Sequence, residues 1–314
     1  MYQTETLQPS PSGFARAAAL LQTGALVAFP TETVYGLGGD ARDDMAVARI
    51  FDAKGRPRFN PLIVHVASLE AACELAVFST LASDIANAFW PGPLTLVLPI
   101  KPGAGLSPLV TADLPTVAIR VPAHPVAQAL LQAFGGPLAA PSANPSGRIS
   151  PTRADHVTDG LDGRIAAVLD GGPCSVGVES TILGLDGPPM LLRAGGLPVE
   201  TLEAMLRQPL LLRGDAVRPN APGQLASHYA PAAKLRLNVT VPSVDEVFIA
   251  FGPGETTLSA SRDLVEAAAN LFHAMRQADK RAGPHGTIAV APIPETGLGR
   301  AINDRLRRAA APRL

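Results

Sequence analysis

From about residue 12 to residue 206, short apolar runs alternate with stretches whose apolar residues recur every three or four positions. Residues 13–23 read as a helix opened by Ser12 and stopped by Gly24. A hydroxyl can accept from the first free amides, and glycine takes the left-handed turn that ends a helix. Residues 25–29 then read as a buried strand, and a glycine-rich loop runs to Gly39. Helices are expected over 44–53, 68–76, 83–89 and 198–206, the last with Pro198 at its start. Strands are expected over 62–66, 94–98, 117–121, 138–140, 165–169 and 181–185. This alternation predicts an α/β unit with a mixed sheet.

The rhythm breaks over 207–231, where Pro209, Pro219, Pro222, Gly223 and Pro231 punctuate a stretch of little apolar periodicity. A plain linker is the simple reading, yet structureless connections of this length are often functional. Beyond it, strands over 247–251 and 287–291 flank a helix over 261–281, and a basic helix over 299–311 ends the chain. The chain divides into 12–206, a linker or lid over 207–231, and a small Rossmann-like α/β unit over 232–314. A unit of about 80 residues is near the lower range for independent stability, so it should dock on the first.

Composition narrows the function. The 314 residues are 47% hydrophobic and only 17% charged, against about 25% charged in an average chain, which is ample for a core. A net charge of −1 supplies no overall basic field for nucleic acid or membrane, so any anion site must be a local cluster. Cys73 and Cys174 are too few for a disulfide framework or a multi-cysteine metal site. The start lacks a basic leader, and no window reaches about 18 consecutive apolar residues. These features read as a soluble, cytoplasmic chain with reduced thiols.

Neither common nucleotide fingerprint fits. No Gly-x-x-x-x-Gly-Lys-Ser/Thr occurs, and Gly36-Leu37-Gly38-Gly39-Asp40-Ala41 stands six residues beyond the strand end where a dinucleotide motif would begin. Gly252-Pro253-Gly254 lacks a third glycine and reads as a turn. Lys54-Gly55-Arg56-Pro57-Arg58-Phe59-Asn60-Pro61 is more informative: three cations in five residues on a backbone fixed by a glycine and two prolines. A solvated loop is the default for such a run. Held rigidly, these groups suit a polyphosphate, arginine as a planar fork and lysine as a point charge. Ala140-Pro141-Ser142-Ala143-Asn144 follows a strand with small polar residues that form a turn or let backbone approach a ligand. Arg120 closes the apolar strand Thr116-Val117-Ala118-Ile119-Arg120 and needs an anionic partner, from protein or ligand. Val178-Glu179-Ser180-Thr181-Ile182 is a fourth cluster, and Ser-His-Asp spacing is absent.

Together these clusters resemble the YrdC-like family of L-threonylcarbamoyladenylate synthases. The resemblance runs through Pro30-Thr31-Glu32-Thr33-Val34-Tyr35-Gly36-Leu37, the 54–62 segment, Phe89-Trp90-Pro91-Gly92-Pro93-Leu94-Thr95, Ile119-Arg120-Val121-Pro122, Pro141-Ser142-Ala143-Asn144, Val178–Ile182 and Leu192-Arg193-Ala194-Gly195. Ala221-Pro222-Gly223 and Ser227-His228-Tyr229-Ala230-Pro231 look like the linker of its longer, two-domain members. The resemblance implies a twisted sheet with flanking helices around a cationic cleft, and a synthesis from L-threonine, bicarbonate and ATP that opens N6-threonylcarbamoyladenosine formation on tRNA. It implies Lys54, Arg56 and Asn60 facing ATP, with Lys54 and Arg56 catalytic. Thr116, Ser142, Asn144, Ser150, Arg193, His228 and Tyr229 would also meet the nucleotide. Thr33, His65, Arg120, Ala140 and Ser180 would hold threonine. Mg2+ would arrive on the phosphates, and proteins of the tRNA pathway would take the product. The rival readings are a double-stranded RNA-binding module, opposed by the net charge and by only 4% aromatic residues, and a carbamoyl-transfer maturation factor, which would need further domains.

Overall fold

A computed structural model describes residues 3–212 and 227–312, so most of the linker expected over 207–231, with Pro219, Pro222 and Gly223, lies outside the described residues. The chain opens with β1 (Glu5–Leu7) and α1 (Pro11–Gln22). Ser10, not Ser12, caps α1: its hydroxyl accepts from the Gly13 amide, and Pro11 gives up no bond at the first helical position. β2 (Val27–Phe29) pairs antiparallel with β3 (Gly36–Asp40), so the stretch expected as a glycine-rich loop is a strand from Gly36 onward. Glycine serves there because a Cβ on Gly38 would sit 2.9 Å from the Phe29 ring.

Next come α2 (Asp44–Lys54), capped by Asp43 and stopped by left-handed Gly55, then β4 (Ile63–His65), α3 (Leu69–Cys73) and α4 (Thr80–Phe89). β5 (Leu94–Pro99), α5 (Pro108–Thr111), β6 (Thr116–Arg120), α6 (Pro125–Phe134) and β7 (Leu138–Ala139) follow. α7 (Ala154–Leu161), β8 (Ala167–Leu169), β9 (Thr181–Gly184), β10 (Met190–Arg193), α8 (Val199–Leu206) and β11 (Leu211–Leu212) complete the first unit. These strands form one mixed sheet in the order β1-β8-β2-β3-β7-β4-β6-β5-β9-β10-β11. β4 and β6 run parallel with His65 opposite Arg120, which sets both side chains at one strand end.

The second unit comprises β12 (Lys234–Arg236), β13 (Glu246–Ala250), β14 (Thr256–Thr257), α9 (Leu264–Ala282), β15 (Thr287–Val290) and α10 (Leu298–Ala310). Its four strands are all parallel, in the order β12-β15-β13-β14. The two units share apolar packing. Val34, Ile149 and Val178 of the first join Tyr229 and the buried faces of α9 and α10 in one cluster. At Gly177, with φ +76°, a Cβ would come within 2.4 Å of the α9 backbone at Ala268 and Ala269. The units meet there backbone against backbone.

Candidate active site

A cavity opens where β3, β4, β6 and β9 present their ends to one another, bounded by the loop after β7 and by the end of the linker. Ten residues picked out in the sequence line it: Thr33, Arg56, His65, Arg120, Ala140, Ser142, Ser180, Arg193, His228 and Tyr229. Its free space is only about 50 Å3, against roughly 300–1,000 Å3 in an open ligand pocket. His228 and Tyr229, both buried, form part of its wall, and Tyr229 is held at φ +62°. A bulky residue in that left-handed region carries strain on the order of 1–3 kcal/mol, offset here by the packing of the Tyr229 ring against Phe272.

One group of lining residues is cationic. The Arg56 guanidinium donates from Nε to the Asn60 carbonyl at 3.2 Å and from Nη2 to the Pro61 carbonyl at 2.9 Å. It therefore braces its own loop while facing the cavity. Burial, aided by repulsion from Arg193, brings its pKa down to about 10. Arg193 donates to the Ser180 carbonyl at 2.8 Å, and burial lowers its pKa too. Behind them Lys54 turns its ammonium to the carbonyls of Ser142 and Asn144, both at 2.5 Å. Burial and the nearby Arg56 hold its pKa well below the usual lysine value. Neutral carbonyls offset only part of a buried charge, so three crowded cations favour an incoming anion.

The other group is finely hydrogen-bonded. Arg120 donates to Thr33 Oγ1 at 2.8 Å and to the Gly92 carbonyl at 3.1 Å. Its protein anion is Glu32, whose Oε1 lies 2.6 Å from Arg120 Nη2 as an ion pair, though off the line of a hydrogen bond. Burial pushes the Glu32 pKa up, but the Arg120 charge and the hydrogen bonds to the carboxylate together outweigh it and hold the carboxyl below its ordinary value. Ser180 Oγ lies 2.7 Å from Thr95 Oγ1. His65 is buried with its Nδ1 unpartnered, and burial together with Arg120 pulls its pKa down to about 3. His228 is likewise brought to about 3, mainly by burial.

Both histidines are thus neutral in the native state at pH 5, while their unfolded counterparts take up protons below about pH 6.5. Stability is therefore full above that value and falls with pH, by about 2 kcal/mol per histidine at pH 5. Thermal melts between pH 7.5 and 5 should show this slope, and His65→Gln should shallow it by about one proton. An unchanged slope would show that native His65 is charged.

The remaining expected residues stand outside the cavity lining. Lys54 pins the 142–144 loop, and Asn144 donates its carboxamide to the carbonyls of Pro145 and Arg148. Asn60 lies buried with its side-chain oxygen unpartnered. Thr116 opens β6 at the end away from Arg120, beside the point where the 54–61 loop enters β4. Ser150 donates to Glu179 at 2.5 Å. Glu32 and Glu179 stand inside the quoted motifs with no role implied for them there, although a carboxylate inside a largely apolar stretch is itself a signal of pairing. Among the described residues no three His, Cys, Asp or Glu side chains converge as a metal site, and arginines hold both of these carboxylates.

The chain is similar to known proteins over nearly its whole length. The family model described as telomere recombination, covering Sua5, YciO and YrdC, matches residues 19–195. The model described as the C-terminal domain of threonylcarbamoyl-AMP synthase matches 197–311. Threonylcarbamoyl-AMP synthase of Bacillus subtilis is 42% identical over 99% of this chain and 96% of its own. The Pyrococcus abyssi protein of that name is 42% identical over 95% and 94%. The crystal structure of P. abyssi Sua5 complexed with L-threonine superposes with a TM-score of 0.89 at 39% identity, covering 98% of this chain and 97% of that one. A His/Tyr double-alanine variant of P. abyssi Sua5 superposes with the same score. No described helix is long and apolar enough to cross a membrane. By sequence over nearly its whole length and by fold, the chain belongs to the Sua5/YciO/YrdC family, in the long form that carries the Sua5 C-terminal domain.

Proposed function

We infer that the chain joins L-threonine, bicarbonate and ATP into threonylcarbamoyl-AMP and pyrophosphate, the first step of N6-threonylcarbamoyladenosine formation on tRNA. One observation carries the reading: a single cavity is lined both by the desolvated cations Arg56 and Arg193 and by the set Thr33, His65, Arg120 and Ser180, the two groups meeting where Arg193 donates to Ser180. The first group suits a polyphosphate and the second a small amino acid. The relatives' names and the threonine-bound P. abyssi structure support it.

The chemistry then follows from positioning. Threonine's amine combines with bicarbonate to a carbamate, releasing water, and a carbamate oxygen attacks the α-phosphorus. The bond from that phosphorus to the bridging oxygen breaks, and the electron pair leaves on pyrophosphate. Arg120 would take the threonine carboxylate as a planar fork while Glu32 fixes its plane. Neutral His65 offers a ring nitrogen to the amine or hydroxyl end. Arg56 and Arg193 face the charge that grows on the leaving group, where fixed donors in a dry site act most strongly. Lys54, Asn60, Ser142, Asn144, Ser150 and Thr116 shape the loops around the nucleotide. Glu32 and Glu179 are already paired with arginines, so Mg2+ would come on the phosphates of ATP.

His228 and Tyr229 would move to admit ATP and then close over it, shielding a mixed anhydride from water. The product would pass to threonylcarbamoyl-transfer proteins of the tRNA pathway in the cytoplasm. A double-stranded RNA module is not favoured, since the cations face a closed cavity. Pyrophosphate release that needs both threonine and bicarbonate, with threonylcarbamoyl-AMP seen by mass, tests the reading. Release indifferent to threonine would overturn it.

A further inference from the structure

We propose that Arg305, from the last helix of the C-terminal unit, is a positioning residue of the synthase site: it keeps the Glu179 carboxylate away from the nucleotide and supports Tyr229. This rests on the reading of the cavity as the ATP and threonine site. Arg305 is fully buried, 0% exposed, on the apolar stripe that Leu298, Ala301, Ile302 and Ala309 mark along α10. An aliphatic side chain would fill that position without desolvating a charge. The guanidinium instead reaches across to the first unit.

Its Nε donates to Glu179 Oε2 at 2.8 Å, and its Nη1 donates to the Ala194 carbonyl at 2.6 Å and to Asp304 at 2.9 Å. The guanidinium carbon stands 5.5 Å from the centre of the Tyr229 ring, within cation–π range. The other Glu179 oxygen accepts from Ser150 at 2.5 Å. Burial works against charge on Glu179, and Arg305, Arg193 and the Ser150 hydroxyl together more than offset it, holding the carboxyl below its ordinary value. α10 also holds the linker end directly, since the Arg308 carbonyl accepts from the His228 amide at 3.1 Å.

Glu179 is the carboxylate that lines the cavity beside Arg56 and Arg193. Released from Arg305, it would turn to these arginines, cancel the charge that phosphates need, and repel the triphosphate. Arg305 takes one of its oxygens and Ser150 the other. The C-terminal unit thereby sets the electrostatics of a site that lies in the first unit.

The full-length chain with Arg305→Met, Arg305→Lys, Glu179→Gln, and Arg305→Met with Glu179→Gln tests this. Pyrophosphate release gives kcat and KM for each substrate, and calorimetry gives ATP affinity independently of turnover. Arg305→Met should raise the KM for ATP at least tenfold and leave that for threonine within twofold. Adding Glu179→Gln should recover most of the ATP affinity, and Arg305→Lys should retain part of it. Equal losses for both substrates, or a double variant no better than Arg305→Met, would reduce Arg305 to a strut between units. Should Arg305→Met fail to fold, Arg305→Lys with and without Glu179→Gln makes the same comparison. If the unaltered chain releases no pyrophosphate with threonine and bicarbonate, the synthase reading fails, while the calorimetry still decides the role of Arg305.

Discussion

Arg56→Met is expected to slow pyrophosphate release by roughly 10²–10³-fold and to move the melting temperature by no more than a few degrees. The rate loss is the usual cost, about 2–4 kcal/mol, of removing one charge-assisted contact made to a transition state. The thermal neutrality has a separate cause. Burial brings the Arg56 pKa down from the ordinary arginine value to about 10, so its charge weighs against the fold by about 3 kcal/mol. Methionine removes that penalty and leaves the Asn60 and Pro61 carbonyls without their donor, about 1–3 kcal/mol each. These terms nearly cancel. Differential scanning calorimetry beside the pyrophosphate assay reads both numbers, and near-normal release by the folded variant would take Arg56 out of the reaction.

Arg120→Leu should unfold the chain more readily as well as abolish threonine binding. Glu32 would be left buried without its counter-ion, so its pKa would rise, with backbone amides such as that of Ala123 at 3.2 Å as its remaining partners. Breaking one side of a buried pair costs about 3–5 kcal/mol, or a melting drop of roughly 6–20 °C. Glu32→Gln added to Arg120→Leu should restore most of that stability and none of the threonine affinity. Because Arg120 lowers the Glu32 pKa, the pair's contribution is present above the ordinary carboxyl value of 4.5 and fades as pH falls through the lowered one. If the double variant melts no higher than Arg120→Leu, the ion pair is not what holds β6 to the 31–34 loop.

Much of this was legible in the sequence, and the exceptions have physical causes. The helices over 44–53 and 198–206 and the strands over 94–98 and 117–121 lie within a residue or two of the observed elements, because their patterns match one period throughout. β3 escaped because glycines carry no hydrophobic signal, and the contact that demands them, the Phe29 ring, is on another strand. The need of Arg120 for an anion could be read, but not its choice of Glu32, since pairing is decided by the fold. The 54–61 run announced cations without saying that Lys54 would be taken up by two carbonyls. Arg305 left a trace: it interrupts an apolar stripe at a position seven residues beyond Leu298. A charge on such a stripe is a sign of a partner across an interface.

Gly177 bears on how a two-part chain of this kind can be assembled or re-engineered. With a Cβ blocked at 2.4 Å by the α9 backbone, any other residue there would pry the C-terminal unit off and carry Arg305 away from Glu179. A one-part relative with a side chain at that spot could not gain this second part by simple fusion, whereas a glycine also suits the left-handed backbone, φ +76°, that the chain adopts there. Swapping C-terminal parts between relatives should therefore succeed or fail on the match at this one small residue before any contact in the cavity is considered.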